Sequence, residues 1–174
     1  MTSSCLVIAF PQLNETDLQF IESVRARHDE QFDLVKPHFT FVFPVPDITV
    51  NDFYDEVIKQ ADSAVIEFVI RSAVAIKDDL TGKYCVFLVP VEGASEIIHL
   101  HKKLHSGILN PYYHREIEFI PHITIAQKSS EAAAVTLANS IHAEMHAIHG
   151  RIDALTVVQF DGASVTSLFQ ISLK

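Results

Sequence analysis

The chain has little of what several common chemistries need. Two cysteines, Cys5 and Cys85, stand far apart and in no CxxC. That leaves no zinc signature and suits a reducing cytosol. Five glycines form neither a GxxxxGK nor a GxGxxG stretch, so no glycine-rich loop is there to cradle phosphates. Basic residues are outnumbered, with 13 Lys and Arg against 22 Asp and Glu and a formal charge of −9. A face that grips long nucleic acid needs the opposite balance. A small phosphate ligand in a locally positive pocket remains allowed. Long apolar runs are missing as well. The start, MTSSCLVIAFPQLNETD, has no basic n-region, and YCVFLVPV is only strand-length. Neither a signal peptide nor a membrane span is expected, and the protein reads as cytoplasmic. There is no low-complexity run and no Ser–His–Asp string.

What is present is ordinary globular material, 48% hydrophobic and 20% charged over 174 residues. That is enough to bury the core of one domain spanning residues 1–174. CLVIAF (5–10) is a short apolar strand ended by Pro11. The following NETDLQFIESVRARHDE predicts a helix capped by Asn14 or Thr16, with Leu18, Ile21 and Val24 on one face. KPHFTFVFP carries a strand over 38–45. Asp47 to Asp62 predicts a helix with Phe53, Val57 and Ile58 inward. A long strand over 64–76, a turn at DDLTGK and a strand over 84–91 follow. Residues 94–108 predict a helix with Ile97, Leu100, Leu104 and Ile108 on one face. IPHITIAQK (120–128) is another strand, SSEAAAVTLANSIHAEMHAIH a helix, and the last two apolar runs are strands, expected as a hairpin around Gly162.

The order of elements repeats. CLVIAFP answers CVFLVPV, and PHFTF answers PHITI. The interval from Cys5 to His38 is 33 residues and from Cys85 to His122 it is 37. This predicts an α+β fold built from two duplicated strand-helix-strand-helix-strand units, roughly 4–80 and 83–174. The fold would be bilobal, with the two units related by pseudo-twofold symmetry, free to exchange strands, and their antiparallel-rich sheets lining a central cleft.

On a strand, residues two apart share a face. His38 and Thr40 therefore point one way and Phe39 and Phe41 the other. His122 and Thr124 likewise oppose Ile123 and Ile125. A single His–Thr pair on an apolar strand is ordinarily a buried group bonded to backbone. Here both occurrences follow proline, sit on apolar strands and fall at equivalent places in the repeat. That coincidence favours function. Two opposed imidazoles suit displacement at phosphorus, one taking a proton and the other giving one. Two threonine hydroxyls can hold the non-bridging oxygens. Such chemistry requires no metal and no cofactor.

The motifs PHFTF and PHITIAQ, 84 residues apart, resemble the paired H-x-[ST]-hydrophobic motifs of the two-histidine (2H) phosphoesterase superfamily. That group includes bacterial 2'-5' RNA ligase-like proteins and cyclic nucleotide phosphodiesterases. The resemblance covers essentially the whole chain. It implies a bilobal α/β fold and metal-independent cleavage or formation of phosphodiesters at a ribose 2' position. By motif matching it makes His38 and His122 the acid–base pair and Thr40 and Thr124 the phosphate clamps. Which histidine is the base stays open, as does the hydrolase or ligase direction. The expected partner is a small nucleotide or an RNA end, not a long nucleic acid or a membrane, and the expected state is a monomer. A non-catalytic nucleotide or RNA-end binder is the alternative reading. Many ligase-like members carry an arginine five residues after the second motif histidine, whereas this chain has Gln127 and then Lys128. Strict alternation puts Lys128 on the cleft side as its cation, with Gln127 as a polar substrate contact.

The remaining candidates are weaker. Arg115 in the loop before the second motif could reach the cleft, and Tyr112 and Tyr113 could stack on a base. His142, His146 and His149 share a face if the predicted helix runs through them, a spacing able to bind a metal. HLHKKLH (99–105) reads as helix with His101 and His105 in structural roles. Cys5 and Cys85 read as buried thiols in matching strands.

Overall fold

The computed structural model describes residues 3–79 and 81–174. Leu80, at the centre of the predicted DDLTGK turn, lies outside them. In chain order the elements are β1 (Ser4–Ala9), β2 (Gln12–Leu13), α1 (Glu15–His28), β3 (Phe39–Val45), α2 (Val50–Gln60), β4 (Ile66–Lys77) and β5 (Tyr84–Glu92). Then come α3 (Ala94–Leu104), a 3₁₀ turn (Gly107–Tyr112), β6 (Ile123–Lys128), α4 (Glu131–Glu144), β7 (Ile148–Ile152), β8 (Ala154–Phe160) and β9 (Val165–Ser172). Among the described residues no helix is long and apolar enough to cross a membrane.

The fold is α+β, and every strand pairing is antiparallel. One sheet has the order β3-β1-β8-β9 and the other β2-β7-β4-β5-β6. Each sheet mixes early and late strands. The late strand β8 pairs with β1, and the early strand β4 pairs with β5. The motif strands β3 and β6 are the edges beyond β1 and β5. An edge strand is free of neighbours on one side, which leaves room for a ligand beside it.

Local chemistry sets the helices. The Asn14 side chain accepts from the Asp17 N–H at 2.8 Å and Thr49 caps α2 by accepting from Asp52. Ser130 does the same for α4. These side chains satisfy N–H groups that have no partner inside their helices. The predicted inward faces hold for Ile21, Val24, Phe53, Val57, Ile97, Leu100 and Leu104, all buried. They fail at helix margins. Leu18 is exposed, because Asp17 takes the inward place, its carboxylate bonded to Asn14 and His146. Ile58 is exposed on the outer side of α2, and Ile108 is exposed because α3 stops at Leu104.

The predicted last helix is also too long. It ends at Glu144, and residues 148–152 form β7 instead. Pairing with β4 buries Ile148 and Ile152, and that burial outweighs helical continuity. His142 is consequently in the last helical turn, His146 in the connection and His149 on a strand opposite Val69. The three do not share a helix face. Among the described residues no three His, Cys, Asp or Glu groups are gathered as a metal site.

Candidate active site

The strand pattern HxT delivers its two faces as expected. Phe39, Phe41, Ile123 and Ile125 are fully buried in the core. His38, Thr40, His122 and Thr124 all line one cavity of about 450 Å³, a size suited to a small-molecule ligand.

Both imidazoles are anchored in the same way. Nδ1–H of His38 donates to the carbonyl of Lys36 at 2.8 Å, and Nδ1–H of His122 donates to that of Ile120 at 2.6 Å. A carbonyl can only accept, so Nδ1 carries the proton in each case. In the neutral ring Nε2 is then the nitrogen with the free lone pair. The acceptor lies two residues back, across Pro37 or Pro121. Proline's fixed φ holds this short turn, which gives physical content to the P-H dipeptide in both motifs. His122 is further held by Phe87 of β5, stacked on it with centroids 3.6 Å apart and planes at 14°. Phe10 meets His38 edge-on at 6.5 Å.

Burial disfavours the charged imidazole and pushes His122 down to about 4, with the nearby His38 adding to the effect. Burial also lowers His38, and Arg25 adds to this, while the Lys36 carbonyl and Asp29 oppose it. Arg25 is itself buried on α1. Its guanidinium binds Asp29 at 2.6 Å and the Val35 carbonyl at 2.6 Å, which ties down the loop that leads to His38.

A β-bulge follows each motif, at the same place. On β3 the register passes from Ile8↔Thr40 to Val7↔Val42, so Phe41 has no opposite residue. On β6 it passes from Phe87↔Thr124 to Val86↔Ala126, so Ile125 has none. A bulge inserts one residue and reverses the alternation beyond it. The fifth residue after each histidine, Phe43 or Gln127, therefore returns to the cavity, and both line it. The expectation for Lys128 rested on strict alternation and is corrected by this bulge. Lys128 points to α1, where Nζ donates to Nδ1 of His28 at 3.0 Å. Gln127 keeps a cavity place, and its Oε1 accepts from the backbone N–H of Glu30 at 2.9 Å.

The same registers revise the repeat. Ile8 matches Phe87, so Leu6 rather than Cys5 is the counterpart of Cys85. Cys5 is in the core, and Cys85 is buried at the cavity wall, where burial raises its thiol to about 11. A one-residue offset places the two cysteines on opposite faces of equivalent strands.

Arg115 and Tyr113 are not brought to the cavity. Tyr113 packs on His101 and His105, with the Arg115 guanidinium over its ring and bonded to Asn110. Tyr112 reaches the Pro46 carbonyl instead.

The structure adds residues that the sequence reading left out. Phe43, Phe87, His114 and Phe119 line the cavity, as do Glu30 and Lys83, which pair with each other. Phe43 and Gln127 share the fifth place after their histidines, a signal legible in the repeat once the bulge is known. His101 has a double position. It lines the cavity, stacks on Phe119 at 3.6 Å and donates from Nδ1 to the carbonyl of Phe41 at 2.7 Å. Phe41 is the residue that the bulge leaves unmatched, so His101 satisfies the bulge beside Thr40. His101→Leu is expected to lower kcat by about 10- to 100-fold, since small displacements of reacting groups are costly. His101→Asn places an amide N–H near the Nδ1 position and should retain most activity. Equal loss in both variants, following thermal stability, would reduce His101 to packing.

Comparison with known proteins agrees with this architecture. A family model described as "2'-5' RNA ligase superfamily" matches residues 12–164. A Bacillus licheniformis protein named "Putative phosphoesterase" is 27% identical over 130 residues, covering 72% of this chain and 71% of its own length. A protein of the same designation from Geobacillus sp. (strain WCH70) is 30% identical over 124 residues, covering 70% and 67%. Among solved structures, E. coli LigT complexed with 3'-AMP matches with a TM-score of 0.65 at 13% identity, over 100% of this chain and 99% of LigT. The Thermus thermophilus protein TT0787 matches with a TM-score of 0.61 at 16% identity, over 99% and 97%. At these identities the structural matches speak to the fold alone.

Proposed function

The chain belongs to the 2'-5' RNA ligase superfamily, and from that premise we propose that it is a metal-independent phosphoesterase. Its substrate is a 2',3'-cyclic phosphate or a 2'-5' phosphodiester in a nucleotide or an RNA end. His38 and His122 are the proton-transfer pair, and Thr40 and Thr124 bind the phosphoryl oxygens. The observation that carries this reading is the matched pair of Nδ1-anchored imidazoles. Each has Nε2 left for a ligand, and a threonine accompanies each on the wall of one cavity.

In the hydrolytic direction, one neutral imidazole takes a proton from water as its oxygen attacks phosphorus. The bond from phosphorus to one ribose oxygen breaks, and the protonated second imidazole delivers a proton to that oxygen. The cyclic diester becomes a monoester and a free hydroxyl. The proton count balances, leaving the two histidines with exchanged states. The threonine hydroxyls donate to the non-bridging oxygens as charge builds on them. Phe87 and the two carbonyl anchors fix the rings, so little reorganisation accompanies the step. Both motifs and the cavity come from one chain, which suits the reading of the protein as a monomer carrying a single catalytic unit. Its buried free thiols suit the cytoplasm.

The test is incubation with each 2',3'-cyclic nucleotide and with 2'-5'-linked dinucleotides in excess EDTA, with separation of 2'- and 3'-phosphate products. Ring opening or linkage cleavage is expected. Tight nucleotide binding without turnover of any of them would make the protein a binder instead.

A further inference from the structure

We infer that this site is built for a substrate bearing a single negative charge, the phosphodiester itself, and discriminates against nucleotides that carry a further phosphate. This rests on the activity proposed above and goes on to define its substrate class. The observation is the charge of the cavity wall. Among the described residues, four carboxylates line it, Glu30, Asp78, Asp79 and Glu118, against two ammonium groups, Lys77 and Lys83. No arginine lines it, although the chain has five. Lys83 is already engaged by Glu30, so an incoming phosphate must compete with a carboxylate for it. Lys128 is turned away onto His28 by the bulge. Gln127 stands in its place with no charge, and Phe43 holds the matching position after the first motif.

The cavity can still neutralise one anion. Its two motif histidines are both held below their ordinary range by burial, so the empty site holds them uncharged near neutral pH. A phosphodiester anion between them favours uptake of one proton onto the pair. That proton is also the one general-acid catalysis consumes. One phosphate and one proton therefore match. A second phosphate has Lys77 and the exposed His114 within the lining, but it meets a wall whose carboxylates outnumber its ammonium groups. Most of the remaining wall is apolar, with Leu6, Ile8, Leu34, Ile76, Phe119 and Phe160 among it. Apolar walls accept a nucleoside's base and sugar but offer nothing to extra anionic oxygens.

The class that fits is a nucleoside 2',3'-cyclic monophosphate, or a comparable short diester, with a free 5'-hydroxyl. Of the substrates proposed above, the wall charge favours the free nucleotide over the RNA end and disfavours a 5'-phosphorylated cyclic nucleotide. The direct experiment compares kcat/KM for adenosine 2',3'-cyclic phosphate with and without a 5'-phosphate, in EDTA. In salt of about 0.01 M, where charges act over about 30 Å, the 5'-phosphate should lower kcat/KM about tenfold or more. In about 1 M salt, where that range is about 3 Å, the gap should largely close. Asp79 and Glu118 are both exposed, so Asp79→Asn with Glu118→Gln should preserve folding and narrow the low-salt ratio. Equal or faster turnover of the 5'-phosphorylated substrate at low salt would overturn the inference while leaving the proposed activity intact. If neither is turned over, the activity fails, and the charge preference is then read by calorimetry. Adenosine 3'-monophosphate binding more tightly than adenosine 3',5'-bisphosphate supports it. Equal or tighter binding of the bisphosphate overturns it.

Discussion

His38→Ala and His122→Ala are each expected to cut turnover of a 2',3'-cyclic nucleotide by about 10²–10⁴-fold, the range typical of losing a general acid or base. The two losses should not multiply in the double variant. With either imidazole gone the concerted route is closed, and removing the second costs little more. Folding should survive, because both rings border the cavity and each makes one backbone bond. The variants need that check by circular dichroism and thermal melting. His122→Ala also leaves the face of Phe87 uncovered, so a modest drop in melting temperature is expected there and not at His38. Full activity in either variant would remove that residue from the chemistry.

Thr40→Val and Thr124→Val form the second large expectation. Valine keeps the shape of threonine and deletes the hydroxyl. Losing one donor to a developing oxyanion costs about 10²–10³-fold in kcat, and each variant should fall in that range. If the hydroxyl holds the oxygens mainly in the transition state, KM changes much less than kcat. Thr40→Ser and Thr124→Ser restore the donor and should recover most of the rate. The bulges make this a stringent comparison. Each threonine is the last residue before its strand's alternation reverses, so its direction is set on one side by the histidine and on the other by the bulge. A serine that fails to rescue would point to lost packing, not to a lost hydrogen bond.

The features visible in the sequence are those governed by period and proximity. Alternation alone placed Phe39 and Phe41 in the core and His38 and Thr40 on the cavity side. Recurrence of P-H-x-T matched the two motif strands to each other, and Asn14, one of the two cap candidates in the sequence, is the residue that begins α1. What stayed hidden depends on partners far along the chain. A bulge is a property of two strands, so the face that Lys128 takes depends on the pairing of β5 with β6 and is not set by alternation along β6 alone. The same pairing showed that Cys5 and Cys85 are not equivalent. The histidine spacing at 142, 146 and 149 assumed a helix that β4 converts into a strand. His101 looked structural in a helical string. Its position on the cavity wall needed α3 to be packed against β3.

The central claim is that two imidazoles in one cavity, one neutral and one protonated, carry the reaction. Its most direct test is the pH dependence of kcat/KM for a 2',3'-cyclic nucleotide in excess EDTA, which reports the free protein's ionisations. Burial holds His122 at about 4 and lowers His38 from its ordinary 6.5. Lowering the pH first puts one proton on the pair, which activates it, and then a second, which removes the base. The expected profile is a bell whose maximum lies between about 4 and 6.5. Bound phosphate, being anionic, should shift the kcat profile to higher pH. A profile with a single limb, or one flat across this range, would contradict the two-histidine mechanism.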